Sequence, residues 1–168
     1  MKKLIRLFEI AILLTSLSLA AQQAKPAGLL SSAELKQAAP ASFFFRGQSA
    51  PAQLRNSAGI RLRDSKLVLA GLVDTAGYSS AITEKYQGFL ITEVPISLEG
   101  SALKPGGYGF GFTANGKFVI MDVGANELLS VTAQVDDNLK RPVPLRIVEE
   151  GGAYRLYAGK KWVGLKVQ

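Results

Sequence analysis

The chain of 168 residues contains no cysteine and no histidine, and it has a single tryptophan. Without histidine it lacks the most common general base and the most common transition-metal ligand in proteins. Without cysteine as well, Ser-His-Asp and Cys-His catalysis, disulfide bonds and ordinary structural zinc sites are excluded. Carboxylate pairs, Ser-Lys dyads, tyrosines and oxygen-only calcium sites remain. The sequence therefore favours a protein without a catalytic function and without a cofactor.

The first 20 residues have the pattern of a secretory signal peptide. Three basic residues lie within the first six, and residues 10–20 are apolar or small, which is about the length of a signal-peptide core. A membrane anchor is the alternative, but a span needs ~20 apolar residues. We therefore expect cleavage after Ala20, a periplasmic or secreted protein, and no integral membrane span in the mature chain.

The charge of the mature chain indicates which partners suit it. The net charge falls from +7 to +5 on cleavage, because three basic residues and Glu9 leave with the signal peptide. A mildly basic exported protein is suited to anionic envelope polymers or lipid head groups, although solubility alone also explains such a charge. No run of Lys or Arg is long enough to predict a nucleic-acid groove. An exported chain without cysteine is more typical of bacteria.

The 148 residues that remain after cleavage are enough for one domain. Residues 21–41 are interpreted as a leader or linker, with a capping box at Ser31 and Glu34 that predicts a helix ending near Ala39. Residues 42–168 are predicted to form a single β domain, with a second short helix over 79–87. Strands are predicted at 43–45, 58–63, 66–73, 88–94, 96–98, 117–123, 128–135, 145–148, 153–157 and 162–167.

Short strands at regular spacing, without a βαβ rhythm, predict a mainly β fold. The expected architecture is an antiparallel β-sandwich or open barrel with one or two short helices. The segment 66–73 is almost continuously apolar, which predicts a strand buried on both faces.

The segment GGYGFGFTANGKF, residues 106–118, contains most of a phosphate-binding P-loop. A P-loop requires Ser or Thr after its lysine and a helix beyond it. Phe118 stands at that position, and a strand-like segment follows. The P-loop interpretation is therefore rejected.

A hairpin explains the same segment better. The dipeptide Asn115-Gly116 predicts a type I′ turn in which Ala114 faces Lys117. That register predicts an aromatic face packed against aliphatic residues: Tyr108, Phe110 and Phe112 opposite Val123, Met121 and Val119.

The other face of this hairpin has three glycines, Gly107, Gly109 and Gly111, beside larger residues of the following strand. Glycines at alternate positions of a strand leave a shallow trough. Either a ligand lies in the trough or another element of the chain packs unusually close to it. We take the three glycines as candidate ligand-binding residues, with close packing as the alternative.

The last hairpin combines aromatic and cationic side chains: Tyr154, Tyr157 and Trp162, with Arg155 and Lys161. Aromatic rings flanked by polar groups are suited to stacking on sugars. The three aromatic residues are therefore candidate ligand-binding residues. The alternative is that they cover the face of a sheet.

Three further patterns indicate chemistry only weakly. Residues 101–104 match the S-x-x-K motif of serine-lysine enzymes, but Pro105 follows and the partner motifs are absent. The segment 136–138 has clustered oxygens without the spacing of a calcium loop. Glu149 and Glu150 are expected at a charged hairpin tip. No metal site is predicted.

Four segments resemble small exported bacterial proteins of unknown function, with similarity over about residues 66–168. They are LKPGGYGFGF (103–112), FVIMDVG (118–124), LKRPVPL (139–145) and YRLY (154–157). The L-x-P-G-x-Y element within the first of them also recurs in unrelated β-sandwich proteins. The resemblance implies an exported β-rich domain and supplies no activity or catalytic residue.

The expected function is binding of a glycan, another envelope component or a partner by an exported, non-catalytic β domain. One alternative is a barrel that encloses an apolar or lipid ligand, with Tyr108, Phe110 and Phe112 lining its cavity. Another is a hydrolase that uses carboxylates, and a third is a purely structural role.

Overall fold

The computed structural model of the protein describes residues 25–168, so the predicted signal peptide lies outside the described residues. In chain order the elements are β1 (Gly28–Leu29), α1 (Ser32–Ala38), β2 (Ser42–Phe45), β3 (Gln48–Arg61), β4 (Leu67–Val73), α2 (Ser80–Thr83), β5 (Gly88–Thr92), β6 (Ile96–Leu98), β7 (Ser101–Leu103), β8 (Gly106–Phe112), β9 (Lys117–Met121), β10 (Glu127–Thr132), β11 (Gln134–Val135), β12 (Val143–Glu150), β13 (Ala153–Gly159) and β14 (Lys161–Val167). Over this range, neither helix is long and apolar enough to cross a membrane.

The strands form two antiparallel sheets. The first has the order β1-β3-β4-β5-β8-β9-β10, and β2 pairs with the start of β3. The second has the order β12-β13-β14-β6-β7, and β11 pairs with β14. Neither sheet closes on itself within the described residues. The prediction of a mainly β fold, an antiparallel sandwich or open barrel with one or two short helices, is confirmed: the described residues form a sandwich of two sheets with two helices.

The main core lies between the two sheets, because alternate residues of each strand point inward. Fully buried residues of the first sheet face those of the second: Ile60, Leu90, Phe110 and Ile120 on one side, Leu98, Leu156, Val163 and Leu165 on the other. Phe110 and Phe112 both pack on Phe118, with ring centroids 5.5 and 4.7 Å apart. The two rings therefore belong to the core between the two sheets, which do not close into a barrel.

A second core covers the outer face of the first sheet. β4 contributes to both cores, since Val68 and Ala70 face the second sheet and Leu69 faces outward, and all three are buried. This confirms the prediction of a strand covered on both faces. The covering layer consists of β2 with the start of β3, together with α1 and α2. β3 serves both layers because its pairing with β4 is interrupted between Ala52 and Ser57.

Residues 28–38 belong to the folded domain, which corrects their interpretation as a leader or linker. Leu29 pairs with Ile60 of β3, and Leu35 of α1 is buried in the outer core. The predicted capping box is present: the Ser31 hydroxyl accepts from the Glu34 N–H, and the Glu34 carboxylate accepts from the Ser31 N–H. The helix was predicted from residues close together in the sequence. Its packing was not, because Leu35 belongs to a core whose other residues lie farther along the chain.

The second helix is shorter than the 79–87 predicted. It ends as α2 at Thr83, and its last carbonyls bond the N–H groups of residues 84–86. The next N–H, that of Gln87, donates to the carbonyl of Phe110 at 2.8 Å. The helix therefore ends here, because the backbone that follows it pairs with β8 of the first sheet.

Candidate functional site

The β8–β9 hairpin has a different register from the predicted one. The Thr113 N–H donates to the Lys117 carbonyl at 2.8 Å, and the Gly116 N–H donates to the Thr113 carbonyl at 3.2 Å. Gly116 has a φ of +77°, whereas Asn115 stays outside the left-handed region. The loop therefore has three residues with glycine at its last position. The predicted type I′ turn is wrong.

Because the loop is one residue longer than predicted, the register of β8 against β9 shifts by one residue. Side chains alternate between the faces of a sheet, so the β9 side chains predicted on one face lie on the other. Phe112 pairs with Phe118 and Phe110 with Ile120. Gly111 pairs with Val119 and Gly109 with Met121. The aromatic residues of β8 thus meet Phe118 and Ile120, which the sequence had placed beside the glycines.

The glycine trough is filled by other parts of the same chain. A Cβ added to Gly107 would lie 3.4 Å from the Phe43 ring. A Cβ on Gly109 would overlap the Phe45 ring, and one on Gly111 would overlap the carbonyl of Lys85. Gly109 and Gly111 are buried, whereas Gly107 is exposed at the end of the trough. Close packing therefore accounts for Gly109 and Gly111, where Phe45 and the Lys85 backbone fill the trough.

The last hairpin pairs Tyr157 with Trp162 directly across β13 and β14. Their ring centroids are 6.2 Å apart. The neighbouring pair, Leu156 and Val163, is fully buried between the sheets, so Tyr157 and Trp162 lie on the outer face of the second sheet. The structure therefore brings two of the three predicted aromatic residues together.

Two arginines lie over these rings. The Arg155 guanidinium carbon is 4.1 Å from the centroid of Trp162, and that of Arg146 is 5.0 Å from the centroid of Tyr157. Both distances are typical of cation–π contacts. We call Arg146, Arg155, Tyr157 and Trp162 the arginine–aromatic face.

Hydrogen bonds and ion pairs hold this face in place. The Tyr157 hydroxyl donates to the Asp136 carboxylate at 3.2 Å, and the Arg155 Nε lies 2.7 Å from the Glu150 carboxylate. A hydrogen bond with Tyr157 and, after it, the charge of Glu150 raise the pKa of Arg155. Tyr157 is only 3% exposed, so its ring offers no free surface for a sugar. Arg146 is exposed, and Arg155 and Trp162 are half-buried, so the guanidinium groups are the charged groups that this face presents to solvent.

Tyr154 does not join the arginine–aromatic face. It pairs with Leu165, and its ring packs against the core between the sheets. Tyr154 lines a cavity of about 300 Å³ together with Arg61, Arg63 and Glu149. Burial, followed by the charge of Glu149, raises the pKa of Tyr154.

Sequence reasoning missed Arg146 and Glu99. Arg146 alternates with buried Leu145 and Ile147, a pattern that places it on the outer face. Glu99 has a φ of +48° in the two-residue turn between β6 and β7. Its carboxylate accepts from the Gly164 N–H at 2.6 Å, while its own N–H donates to the Gly164 carbonyl at 3.0 Å. No local sequence signal indicates this contact.

The weaker patterns find no site in the part of the chain that the structure describes. Residues 101–103 form strand β7, whereas a serine-lysine centre needs its serine at the start of a helix. The Asp136 carboxylate is engaged by Tyr157 and by the Asn138 N–H. Over residues 25–168, no cluster of three or more acidic side chains has the arrangement of a metal site.

Comparison with known proteins gives no relative for this chain. No protein-family model matches it, and neither a curated protein nor a solved structure matches it.

Proposed function

We propose that this protein is an exported, non-catalytic binding module whose arginine–aromatic face recognises an anionic glycan or another anionic component of the bacterial envelope. The observation that carries the proposal is the position of two guanidinium groups held over aromatic rings on one sheet face, 4.1 and 5.0 Å from the ring centroids. Such stacking fixes the guanidinium plane while its edge keeps N–H groups free to bind an oxyanion.

The arrangement favours an anion over a neutral sugar. A guanidinium group has five N–H donors, and Arg155 directs its Nε to Glu150. The donors that neither Glu150 nor Tyr157 engages suit the paired oxygens of a carboxylate or phosphate. A neutral sugar would need a free aromatic ring, but Tyr157 is buried and Arg155 lies over Trp162. The proposed ligand therefore contacts the guanidinium groups and does not stack on the three predicted aromatic residues.

Trp162 is the only tryptophan of the chain, so its fluorescence reports directly on this face. The protein is titrated with polygalacturonate, which carries carboxylates, and with dextran, which is neutral. We expect saturable quenching by polygalacturonate that weakens as salt is added, because salt screens exposed charges. Dextran should give no saturable signal.

Three substitutions locate the site. Arg155→Gln and Arg146→Gln each remove one charge from the face, and Lys104→Gln removes one charge from an exposed position on another part of the surface. We expect each arginine variant to weaken binding at least ten-fold, whereas Lys104→Gln stays within two-fold of the parent protein. Equal affinities in all three variants, or equal binding of dextran, would refute the proposal. Turnover of either polymer would instead support the alternative of a carboxylate hydrolase.

A further inference from the structure

A groove of about 580 Å³ opens between the two sheets at one end of the sandwich. Leu72 and Phe112 line it from the first sheet, and Val135 and Ala158 line it from the second. Leu72, Phe112 and Ala158 also belong to the core between the sheets or pack against it. The floor of the groove is therefore a continuation of that apolar core, and its volume lies within the range of small-molecule sites, roughly 300–1,000 Å³.

The charge of the groove has one sign. Lys160 and Lys161 line it, and none of its lining residues is Asp or Glu. The Lys161 ammonium group donates to the Thr113 carbonyl at 2.6 Å, which connects the second sheet to the β8–β9 loop beside the groove. An ammonium group has three donors, so this bond leaves two for an anion. Val135, at 56% exposed, extends the apolar surface to solvent.

We propose that this groove binds a single-chain anionic amphiphile. The acyl chain lies against Leu72, Phe112 and Ala158, and a carboxylate or phosphate head group pairs with Lys160 and Lys161. Apolar walls that end at two cations, with no Asp or Glu among the lining residues, complement that combination of chemical groups.

The groove is independent of the arginine–aromatic face. Lys161 and Trp162 are neighbours in β14, and successive side chains of a strand point to opposite faces. Lys161 accordingly reaches Thr113 of the β8–β9 loop, whereas Trp162 contacts Arg155 on the outer face. Substitutions can therefore test the two sites separately.

Calorimetric titration with octanoate, decanoate and dodecanoate, each below its micelle concentration, tests whether the acyl chain contributes to binding. We expect one saturable site and affinity that rises up to about four-fold for each added methylene, the fold-change that corresponds to ~0.8 kcal/mol per buried CH₂. Decyl phosphate should bind about as well as decanoate. Decanol should bind at least ten-fold more weakly. No saturable heat with any anion, or equal affinity for decanol, would overturn the proposal.

Variants test the position of the ligand. Lys160→Gln should weaken decanoate binding at least five-fold, and Ala158→Leu should weaken it by filling the groove. Lys166→Gln, which replaces an exposed lysine of β14 outside the groove, should leave decanoate binding unchanged. Lys160 lies at the tip of a turn, so its variant keeps the Lys161 bond to Thr113. Equal binding by Lys160→Gln and Lys166→Gln would place the ligand elsewhere and refute the site.

Discussion

The three glycines of β8 allow a graded test of close packing, because an added methyl group meets a different neighbour at each position. At Gly107 it would contact the Phe43 ring at an ordinary distance of 3.4 Å. At Gly109 it would overlap the Phe45 ring, which is stacked on Tyr86 with centroids 3.9 Å apart. At Gly111 it would overlap the backbone carbonyl of Lys85.

The expected magnitudes follow from two opposing effects. Replacing glycine by alanine at a compatible backbone conformation stabilises a protein by about 0.4–1 kcal/mol, since the unfolded chain loses freedom. Overpacking a core costs about 1–3 kcal/mol. Gly107→Ala should therefore be neutral or stabilising by up to about 1 kcal/mol. Gly109→Ala should destabilise by about 1–2 kcal/mol, and Gly111→Ala by more, because a backbone carbonyl moves less easily than a ring.

Urea unfolding followed by Trp162 fluorescence measures these differences. Trp162 lies in the second sheet, away from the substituted strand, so it reports unfolding of the whole sandwich. For a domain of this size, 1 kcal/mol shifts the melting temperature by about 2–4 °C, which gives an independent check. Equal free energies of unfolding for the three variants would contradict the assignment of the trough to packing, and so would a Gly109→Ala protein more stable than Gly107→Ala.

Three further predictions concern single contacts. Glu99→Gln weakens the acceptor of the Gly164 N–H and should lower the free energy of unfolding by about 1 kcal/mol, measured by urea unfolding at pH 7. Hydrogen bonds from the Ser31 backbone and side chain lower the pKa of Glu34 in the folded protein. The ionised carboxylate therefore stabilises the fold at pH values above the pKa of the unfolded chain, about 4.3. This stabilisation is lost as the pH falls through the lowered pKa of the folded state. The stability difference between Glu34→Gln and the parent protein should accordingly shrink from pH 6 to pH 3. Tyr86→Phe removes a buried hydroxyl that has no hydrogen-bond partner among residues 25–168. The substitution should leave stability unchanged or raise it by up to about 1 kcal/mol, measured by the melting temperature. A clear loss of stability would show that the hydroxyl is satisfied.

Features that depend on local sequence signals could be predicted. The capping box at Ser31 requires only residues three positions apart, and the structure contains it. Gly151 and Gly152 form the two-residue turn between β12 and β13, with φ values of +60° and +78°, a conformation that glycine adopts without steric cost. The apolar run of β4 likewise indicated burial on both faces, because such a run has no polar side for solvent.

The register of the β8–β9 hairpin could not be predicted from the Asn-Gly signal alone. That dipeptide favours a two-residue turn, but the Thr113 hydroxyl donates to the Lys117 carbonyl at 3.0 Å and accepts from the Lys117 N–H at 3.2 Å. These bonds stabilise a loop that is one residue longer. The wrong turn length placed the β9 side chains on the wrong faces of the sheet. A local turn signal is therefore not enough to predict which side chains form the core.

The candidate site was predictable only in part, since its residues come from different hairpins. Pairing of Tyr157 with Trp162 follows from the turn between β13 and β14, whereas the position of Arg146 depends on the register of β12. Tyr154 is adjacent to Arg155 in sequence but faces the core, because a strand alternates its side chains. Aromatic residues close together in sequence were therefore separated by strand geometry.

Both proposed sites depend on the register of β14, because Lys161 and Trp162 have to point to opposite faces of the second sheet. A slip of one residue would exchange them and remove both sites. The pairing of β14 with β13 and β6 specifies this register, and Glu99 extends the β6 pairing by one residue through its two bonds to Gly164. A side chain at position 164 would approach the Glu99 carboxylate at 3.2 Å. Gly164 and Glu99 thus act together where β6 ends beside β14, the central strand of the second sheet. A substitution that breaks this contact should weaken polygalacturonate and decanoate binding in parallel, whereas a variant of either site alone should weaken only one.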